Sequence, residues 1–290
     1  MTAQSEVGAI TRLIAKHARD AFQGPEVIAS EWQALNFTAA PDFARAVDEY
    51  KGFLELLRTS DCEITMLPGA QGVGLDSIYV RDASVVCNRG VILCNMGKPQ
   101  RVNEPTAQEV VLRTIGCAIV GSIQPPGRLE GGDVVWLDER TIVVGRGYRT
   151  NDAGIAQLRV LLGDSIDELL TVPLPHWRGA SDVFHLMSIV SPVDRDLAVV
   201  YSPLMPVPFR ERLTERGITL VEVPDQEFDT MGANVLAIAP RRCVIVAGNP
   251  ITRSRLEAAG AQVFEYDGTE ISLRGGGGPT CLTRPLERRK

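Results

Sequence analysis

The chain has 290 residues, 44% of them hydrophobic and 23% charged, and its formal net charge at pH 7 is −6. This is the composition of a globular protein, and the acidic balance lacks the basic patch that nucleic-acid binding requires. No apolar run approaches the roughly 18 residues that cross a bilayer, and charges interrupt residues 1–30, so we expect a cytoplasmic protein with no secretory signal and no membrane or nucleic-acid partner.

The first part of the chain predicts two helices joined by a loop. Residues 9–22 carry apolar side chains at helical spacing, and Gly24-Pro25 ends that helix. A second helix is predicted over residues 42–57, after Pro41, with one apolar face. The segment between them, residues 31–38, has aromatic side chains without a clear period, and we predict that it forms a lid.

From residue 76 onward one pattern recurs about every 50 residues. An apolar strand, a polar turn and a second apolar strand are followed by a Gly or Pro break and an amphipathic helix. The four copies of strand, strand and helix cover residues 83–86, 91–94 and 107–115; 134–137, 141–144 and 151–162; 185–190, 197–201 and 208–216; and 234–238, 243–247 and 251–259. This self-similarity predicts an array of ββα units instead of a doubly wound sheet.

The two termini can supply a fifth unit. Residues 271–272 would lead into a strand at 281–285, and N-terminal segments would provide the rest. An open solenoid needs polar capping units at both ends, which the sequence does not show. We therefore predict an α/β fold in which residues 1–290 form one domain, a closed ring of five blades, each with a sheet edge toward the axis and a helix outside.

The repeat also predicts where the chemistry lies. A polar residue stands just before or at the start of each unit's first strand, and successive members are 47 to 55 residues apart: Asp82, Glu130 together with Asp133, His185, Asn234 and Cys281. Residues at the same phase of a ring of repeats converge on one end of its axis. We therefore expect a central pit lined by carboxylates, a histidine and a cysteine.

Cys281 stands apart from the other cysteines because four glycines, residues 275–278, precede it. Glycine loses the most backbone entropy on ordering and has no side chain to pack, so such a run indicates close approach of the backbone or positive φ angles. Four other cysteines lie in or beside apolar runs and are interpreted as free thiols that act as small hydrophobes: Cys87, Cys94, Cys117 and Cys243.

A cysteine and a histidine in one pit indicate a thiolate nucleophile with a general acid and base, although two buried core residues remain the alternative. His17 and His176 lie outside this pattern and are assigned no role. We expect Glu130 to face the pit and hold a cationic group, with Asp133 supporting its loop from behind; a turn with acceptor side chains is the alternative for both.

Carboxylates around a thiol predict a positively charged substrate, which would also lower the pKa of the thiol. Arg81-Asp82 could be a surface ion pair, but a carboxylate at position 82 would again meet the pit. A metal site is disfavoured because the candidate ligands come from separate strands without a metal-binding spacing. The glycine run also lacks the spacing of a dinucleotide-binding motif.

Four motifs in order resemble the guanidino-group-modifying superfamily, which contains dimethylarginine dimethylaminohydrolase, arginine deiminase and the amidinotransferases. They are Tyr79-Val80-Arg81-Asp82, Leu129-Glu130-Gly131-Gly132-Asp133, Phe184-His185-Leu186 and Gly276-Gly277-Gly278-Pro279-Thr280-Cys281-Leu282-Thr283. The resemblance runs from about residue 40 to the end of the chain. It implies the five-bladed α/β propeller called pentein, in agreement with the repeat count.

The resemblance also implies a mechanism that needs no metal and no organic cofactor. Cys281 would attack the guanidinium carbon while Glu130 and Asp82 hydrogen-bond its nitrogens, and His185 would protonate the departing amine and then activate water. By similarity, Arg101 and Arg149 would bind the substrate carboxylate. The glycines at 275–278 are then interpreted as clearance for a flat guanidinium, and residues 31–38 as the lid that closes over it.

Within the superfamily the chain is most similar to dimethylarginine dimethylaminohydrolase, which Asp76 and the short single domain favour. Arginine deiminases carry an aspartate two residues after the catalytic histidine, where this chain has Met187, and a long helical insertion for which there is no room. Arg81, however, matches deiminases and amidinotransferases, so these activities remain alternatives. A non-enzymatic pentein, of the kind that binds ribosomes, would lack the Cys, His and Glu set. The assembly is left open, with a homodimer as one alternative.

Overall fold

The computed structural model describes residues 2–182 and 184–289 and contains five three-stranded sheets. The strands are β1 (Ala9–Ala15), β2 (Glu63–Met66), β3 (Ser84–Cys87), β4 (Gly90–Leu93), β5 (Ile119–Ser122), β6 (Val134–Trp136), β7 (Thr141–Arg146), β8 (Glu168–Pro173), β9 (Val190–Asp194), β10 (Leu197–Val200), β11 (Thr219–Glu222), β12 (Leu236–Ala239), β13 (Arg242–Val246), β14 (Gln262–Tyr266) and β15 (Thr283–Arg289). The helices are α1 (Ala18–Phe22), α2 (Pro25–Glu31), α3 (Phe43–Arg58), α4 (Glu104–Thr114), α5 (Asp152–Leu162), α6 (Val207–Glu215), α7 (Asp225–Phe228) and α8 (Pro250–Ala258).

Each blade repeats one order of elements. Two antiparallel strands are followed by a helix and by a third strand that pairs in parallel with the second, as in β3, β4, α4 and β5. The helix provides the crossover that parallel pairing requires. The repeat predicted from the sequence is confirmed, but its unit is ββαβ, with a third strand that the sequence pattern does not reveal. These strands are short and only partly buried, as Ile119–Ser122 illustrates, so their apolar signal is weak.

The fifth blade joins the two ends of the chain. β1 pairs antiparallel with β15, from Ala9 opposite Arg289 to Ala15 opposite Thr283, and parallel with β2. The helix predicted over residues 9–22 is therefore wrong in its first half, which is the central strand of this sheet. The apolar residues Ile10, Leu13 and Ile14 fit the periodicity of a helix as well as that of a strand. The segment forms a strand because β15 and β2 pair with its backbone on both sides.

The second predicted helix, residues 42–57, is confirmed as α3. Asp42 caps it, with an Oδ1 that accepts from the Arg45 backbone N–H at 2.9 Å, and Tyr50, Phe53 and Leu57 are fully buried beneath it. Residues 271–272, expected to lead into a strand, lie instead in a π-helical turn, Thr269–Leu273. Among the described residues no helix is both long and apolar enough to cross a membrane.

The hydrophobic core is shared between neighbouring blades. One cluster joins Val135 and Val143 of the second blade to Val199 of the third and Cys243 of the fourth. The first strands of adjacent blades also pack together, as β9 does with β12 and β15 with β3. The loops that lead into these first strands are therefore brought together at one end of the ring, which is the arrangement that places the candidate site.

Candidate active site

Residues from all five blades meet around one cavity of about 330 Å³. Asp82, Gly132, His185, Asn234 and Cys281 line it, one from each blade and each just ahead of its blade's first strand. The convergence expected from the repeat is therefore present in the structure. Glu130 and Asp133, which share that phase, lie behind the wall of the cavity.

His185 is held by Glu130 from behind. Its Nε2 lies 2.8 Å from Glu130 Oε2, and its Nδ1 lies 3.8 Å from Asp82 Oδ1. Burial by itself would lower the pKa of His185, but Asp82, Asp133 and Glu130 raise it to about 9. The imidazole is therefore charged at neutral pH and can release a proton into the cavity.

Glu130 is fully buried and its acceptor positions are occupied. Oε1 accepts from the backbone N–H groups of Gly97 at 2.9 Å and Lys98 at 3.0 Å, and Oε2 lies 3.2 Å from Arg149 Nη1 and 2.8 Å from His185 Nε2. Burial opposes its ionisation, but the hydrogen bond from His185 and the charge of Arg149 lower its pKa overall. The expectation that Glu130 faces the pit is wrong for this structure, where it positions His185.

Asp82 presents an unused acceptor to the cavity. Its Oδ2 accepts from Arg101 Nη1 at 2.6 Å, whereas its buried Oδ1 has no hydrogen-bond partner among the described residues. A Cβ at Gly132 would lie 2.7 Å from that oxygen and 2.5 Å from His185 Nδ1. Glycine at position 132 therefore keeps open the space between the carboxylate and the imidazole.

The Cys281 thiol is almost buried, with 9% exposure, and it receives a hydrogen bond from Asn234 Nδ2 at 3.4 Å. The Asn234 amide is itself fixed, because its Oδ1 accepts from Thr280 Oγ1 at 2.8 Å. Burial and the negative charge of Asp82 raise the pKa of Cys281, while Thr280 and Asn234 lower it. The repeat placed Asn234 in the ring, but only the structure shows that it contacts the sulfur.

The glycine run has a second cause besides the clearance that was expected. An added Cβ at Gly275 would lie 2.1 Å from the Tyr79 hydroxyl, one at Gly277 would lie 2.4 Å from the Tyr79 ring, and one at Gly278 would lie 2.5 Å from Asn234 Oδ1. Gly276 has a φ of +75°. The run therefore lets this loop pack on Tyr79 and turn toward Asn234, and Gly275, Gly276 and Gly277 also line the cavity, where they keep side chains out of the wall.

The two arginines expected to bind a carboxylate are both engaged within the protein. Arg101 makes a bidentate pair with Glu104, at 2.8 Å for each contact, and also donates to Asp82 and to two backbone carbonyl groups. Arg149 donates to Glu130 alone among the described residues. Both line the cavity, but Arg101 has little donor capacity left for a ligand.

Asp76 also lines the cavity, and its Oδ2 accepts from Lys98 Nζ at 2.6 Å. Asp133 lies behind His185, where its Oδ1 accepts from the Leu186 backbone N–H at 3.0 Å, and burial raises its pKa to about 6. That contact fixes the chain directly after His185.

The segment predicted to be a lid reaches the mouth of the cavity. Asn36 and Thr38 line it, while Leu35 and Phe37 are buried and anchor the segment. Asn36 Nδ2 donates to the Ser181 carbonyl at 3.0 Å, which links this segment to the loop on the far side of the mouth. Arg178 and Arg274 also line the cavity.

The histidines without an assigned role have structural contacts. His17 Nδ1 accepts from the Arg19 backbone N–H at 3.1 Å and caps α1, and His176 Nδ1 lies 2.6 Å from the Tyr148 hydroxyl. All six cysteines are free thiols, and Cys87, Cys94 and Cys243 are buried as expected, whereas Cys117 is only partly buried.

Asp82, Glu130 and His185 also bring potential metal-ligand atoms within 4.8 Å of one another. The two carboxylates are already paired with Arg101, Arg149 and the imidazole. An ion would have to displace these cations, so the contacts disfavour a metal centre on energetic grounds.

Comparison with known proteins gives consistent matches. The sequence model of the family described as N,N dimethylarginine dimethylhydrolase, eukaryotic, matches residues 33–288. The chain is 30% identical to N(G),N(G)-dimethylarginine dimethylaminohydrolase of Streptomyces coelicolor over 83% of this chain and 86% of that protein. It is 27% identical to an arginine deiminase of Listeria welshimeri over 72% of this chain and 61% of that protein.

Among solved structures, dimethylarginine dimethylaminohydrolase from Pseudomonas aeruginosa in complex with citrulline superposes with a TM-score of 0.74. It is 22% identical, and the superposition covers 95% of this chain and 98% of that one. This likeness confirms the fold as the five-bladed α/β propeller.

Proposed function

The chain belongs to the N,N-dimethylarginine dimethylhydrolase family, and from this premise we propose that it hydrolyses a C–N bond of a methylated arginine to give citrulline and an amine. One observation carries the proposal: a single cavity holds the Cys281 thiol, a charged His185 and an Asp82 oxygen that has no hydrogen-bond partner in residues 2–182 and 184–289. These are a nucleophile, a proton donor and an acceptor for a cationic guanidinium.

Asp82 begins the reaction by binding the substrate. Its free Oδ1 accepts hydrogen bonds from the guanidinium nitrogens, and the bound cation neutralises a carboxylate that raises the pKa of Cys281 in the empty site. The substrate thus favours the thiolate that attacks it. Asn234 Nδ2, which already donates to the sulfur, stabilises the negative charge.

The chemistry then proceeds in two steps. The Cys281 thiolate attacks the guanidinium carbon, an S–C bond forms, and the C–N bond to the amine breaks as His185 donates its proton to the leaving nitrogen. This leaves a covalent thiouronium. His185, now neutral, takes one proton from water as the water oxygen adds to the same carbon. The S–C bond then breaks to release the thiolate, and the remaining hydroxyl proton leaves to solvent to give the ureido product.

Glu130 and Asp133 act through His185. Glu130 holds the imidazole by its Nε2 and favours its charged form, and Asp133 fixes the following backbone. Both are positioning residues in this scheme. Arg149 balances the charge of Glu130 and keeps donors for a ligand, because it bonds to Glu130 alone among the described residues.

Met187 favours a methylated leaving group. It lies at the position where deiminases carry an aspartate, it lines the cavity, and it belongs to the apolar core. Its side chain offers apolar contact to an N-methyl group and no acceptor for an unsubstituted nitrogen. Arginine deiminase activity remains the second candidate, supported by the Listeria relative and by Arg81-Asp82.

The far end of the substrate carries a carboxylate and an ammonium group. Arg149, together with Arg178 and Arg274 at the mouth, supplies donors for the carboxylate, whereas Arg101 is committed to Glu104 and holds Asp82 in place. Asp76 is the acceptor on this wall for the ammonium group, and the segment at residues 31–38 closes over the ligand.

The test is a comparison of substrates. Asymmetric dimethylarginine, monomethylarginine, arginine and agmatine are incubated with the protein, and the ureido product and the released amine are measured. Methylated arginine should turn over, and Cys281→Ser should abolish turnover while the partly buried control Cys62→Ser keeps it.

Ammonia release from arginine alone would establish the deiminase, and transfer of the amidino group to an added amine would establish an amidinotransferase. If no substrate turns over and no thiol-directed amidine labels Cys281, the enzymatic assignment is wrong and a binding role takes its place. The predictions of no metal or organic cofactor, of a cytoplasmic location and of a homodimer remain open to experiment.

A further inference from the structure

Three arginines lie buried near one another outside the catalytic cavity. Arg81, Arg284 and Arg288 have exposures of 1%, 5% and 1%. Arg284 and Arg288 belong to β15, and Arg81 precedes β3 and donates its backbone N–H to the Cys281 carbonyl at 3.2 Å. None of the three lines the catalytic cavity.

Backbone contacts place these guanidinium groups at the axis of the ring. Arg288 Nη1 donates to the carbonyls of Gly8, just before β1, and of Ala237 in β12, at 2.6 Å and 2.8 Å. Arg284 Nη2 donates to the Arg81 carbonyl at 2.6 Å. Contacts that reach three blades from one strand are possible only near the point where the blades meet.

The positive charge of this cluster exceeds the negative charge of the carboxylates that contact it. Glu6 is the carboxylate that bonds to it, with Oε1 2.7 Å from Arg81 Nη2. Asp82 adds negative charge near Arg284, but its Oδ2 is bound to Arg101. Among the described residues, the three guanidinium groups therefore share one dedicated carboxylate, Glu6.

Five guanidinium nitrogens of the cluster are buried without a hydrogen-bond partner among the described residues: Arg81 Nε and Nη1, Arg284 Nε, and Arg288 Nε and Nη2. Buried polar groups are almost always hydrogen-bonded, and an uncompensated buried charge is strongly destabilising. Burial and the neighbouring Arg81 lower the pKa of Arg284 to about 9, while burial lowers that of Arg288 to about 10, yet both stay charged at neutral pH.

Charged donors without acceptors, all from one cluster, indicate a missing negative partner. We propose that Arg81, Arg284 and Arg288 bind a small inorganic monoanion of the size of chloride on the axis of the ring. The anion accepts hydrogen bonds from the unpaired nitrogens, and its charge offsets the positive charge that Glu6 does not neutralise. A halide suits this place because it is small and accepts hydrogen bonds from several directions.

The test uses the intact protein with bromide as the probe. Crystals grown in bromide should show an anomalous peak within hydrogen-bonding distance of the three guanidinium groups. In solution, protein prepared in gluconate and titrated with bromide at constant ionic strength should show a saturable rise in Tm, roughly 5 °C at a hundredfold excess over the dissociation constant.

Arg288→Met removes two of the unpaired nitrogens and should abolish the bromide-dependent rise in Tm. Because Arg288→Met also removes the hydrogen bonds to the carbonyls of Gly8 and Ala237, the Tm of the variant in gluconate serves as its own baseline for the bromide titration. Arg113→Met, at an exposed ion pair on α4, is the matched control and should keep the full response.

Several results would overturn the proposal. Water molecules alone at the five nitrogens, or a bromide response equal in the parent protein and in Arg288→Met, would show that no specific anion site exists. If Arg288→Met does not fold, the crystallographic peak in the parent protein decides by its presence or absence.

Discussion

The contact between Glu130 and His185 gives a prediction whose size follows from the structure. The pKa of His185 is raised from an ordinary value of 6.5 to about 9, with Glu130 bonded to it at 2.8 Å. A rise of this size corresponds to about 3 kcal/mol in favour of the charged imidazole. Glu130→Gln keeps the shape of the side chain and removes its charge, while Asp82 and Asp133 remain.

We therefore expect the pKa of His185 to fall by at least about one unit in Glu130→Gln, or about 1.4 kcal/mol. The assay is an NMR titration of the histidine ring protons, which is simple because the chain has 3 histidines. Resonances of His17 and His176 serve as internal references. Glu109→Gln, at an exposed pair with Arg113, is the control variant and should leave His185 unchanged.

The same shift affects stability. Because the pKa of His185 in the folded state lies above its unfolded value, its contribution is fully present below about pH 6.5 and is lost as the pH rises through about 9. The parent protein should therefore have a larger free energy of unfolding than Glu130→Gln below about pH 6.5. This difference between the two proteins should shrink as the pH rises to about 9. A pKa of His185 within about 0.3 unit of the parent value in the variant would refute the reasoning.

Two further predictions concern neighbouring residues. Asn234→Ala removes the hydrogen bond to the Cys281 sulfur, so the thiol pKa should rise by about one unit, measured as the pH dependence of alkylation by iodoacetamide; an unchanged profile would exclude this role. Gly132→Ala places a Cβ 2.5 Å from His185 Nδ1 and should lower turnover at least about tenfold. The control Gly52→Ala meets no atom within 4 Å inside α3 and should raise the free energy of unfolding by about 0.5–1 kcal/mol; equal activities of the two variants would contradict the argument.

Much of the site could be predicted from the sequence because the repeat is local. Each blade's hairpin and helix come from one continuous stretch, so alternation and helical spacing reveal the period. The positions just before the first strands then follow by counting. For this reason the spacing alone assigns Asp82, His185, Asn234 and Cys281 to one pit, and all four line the cavity.

Where several segments offer partners to one side chain, the sequence alone could not show which partners that side chain binds. Glu130 has the right phase, but two backbone N–H groups, Arg149 and His185 enclose it, and these donors come from three different segments. Arg101 has the residue type that binds carboxylates, but Glu104, three residues further along the chain, pairs with it first. Such pairings depend on distances that no spacing in the sequence records.

The sequence by itself determined the five-fold repeat, the phase of the candidate catalytic residues and the choice of Cys281 as the candidate nucleophile, because these depend on local periodicity and residue type. Only the tertiary structure decided that residues Ala9–Ala15 form a central strand, since that strand is defined by partners from the other end of the chain. It also decided the packing of glycines 275–278 against Tyr79 and the burial of Glu130 behind His185. In each case the contact that decides the outcome joins residues far apart in sequence. Such a contact forms, and stabilises the fold, only when the ring of blades has closed.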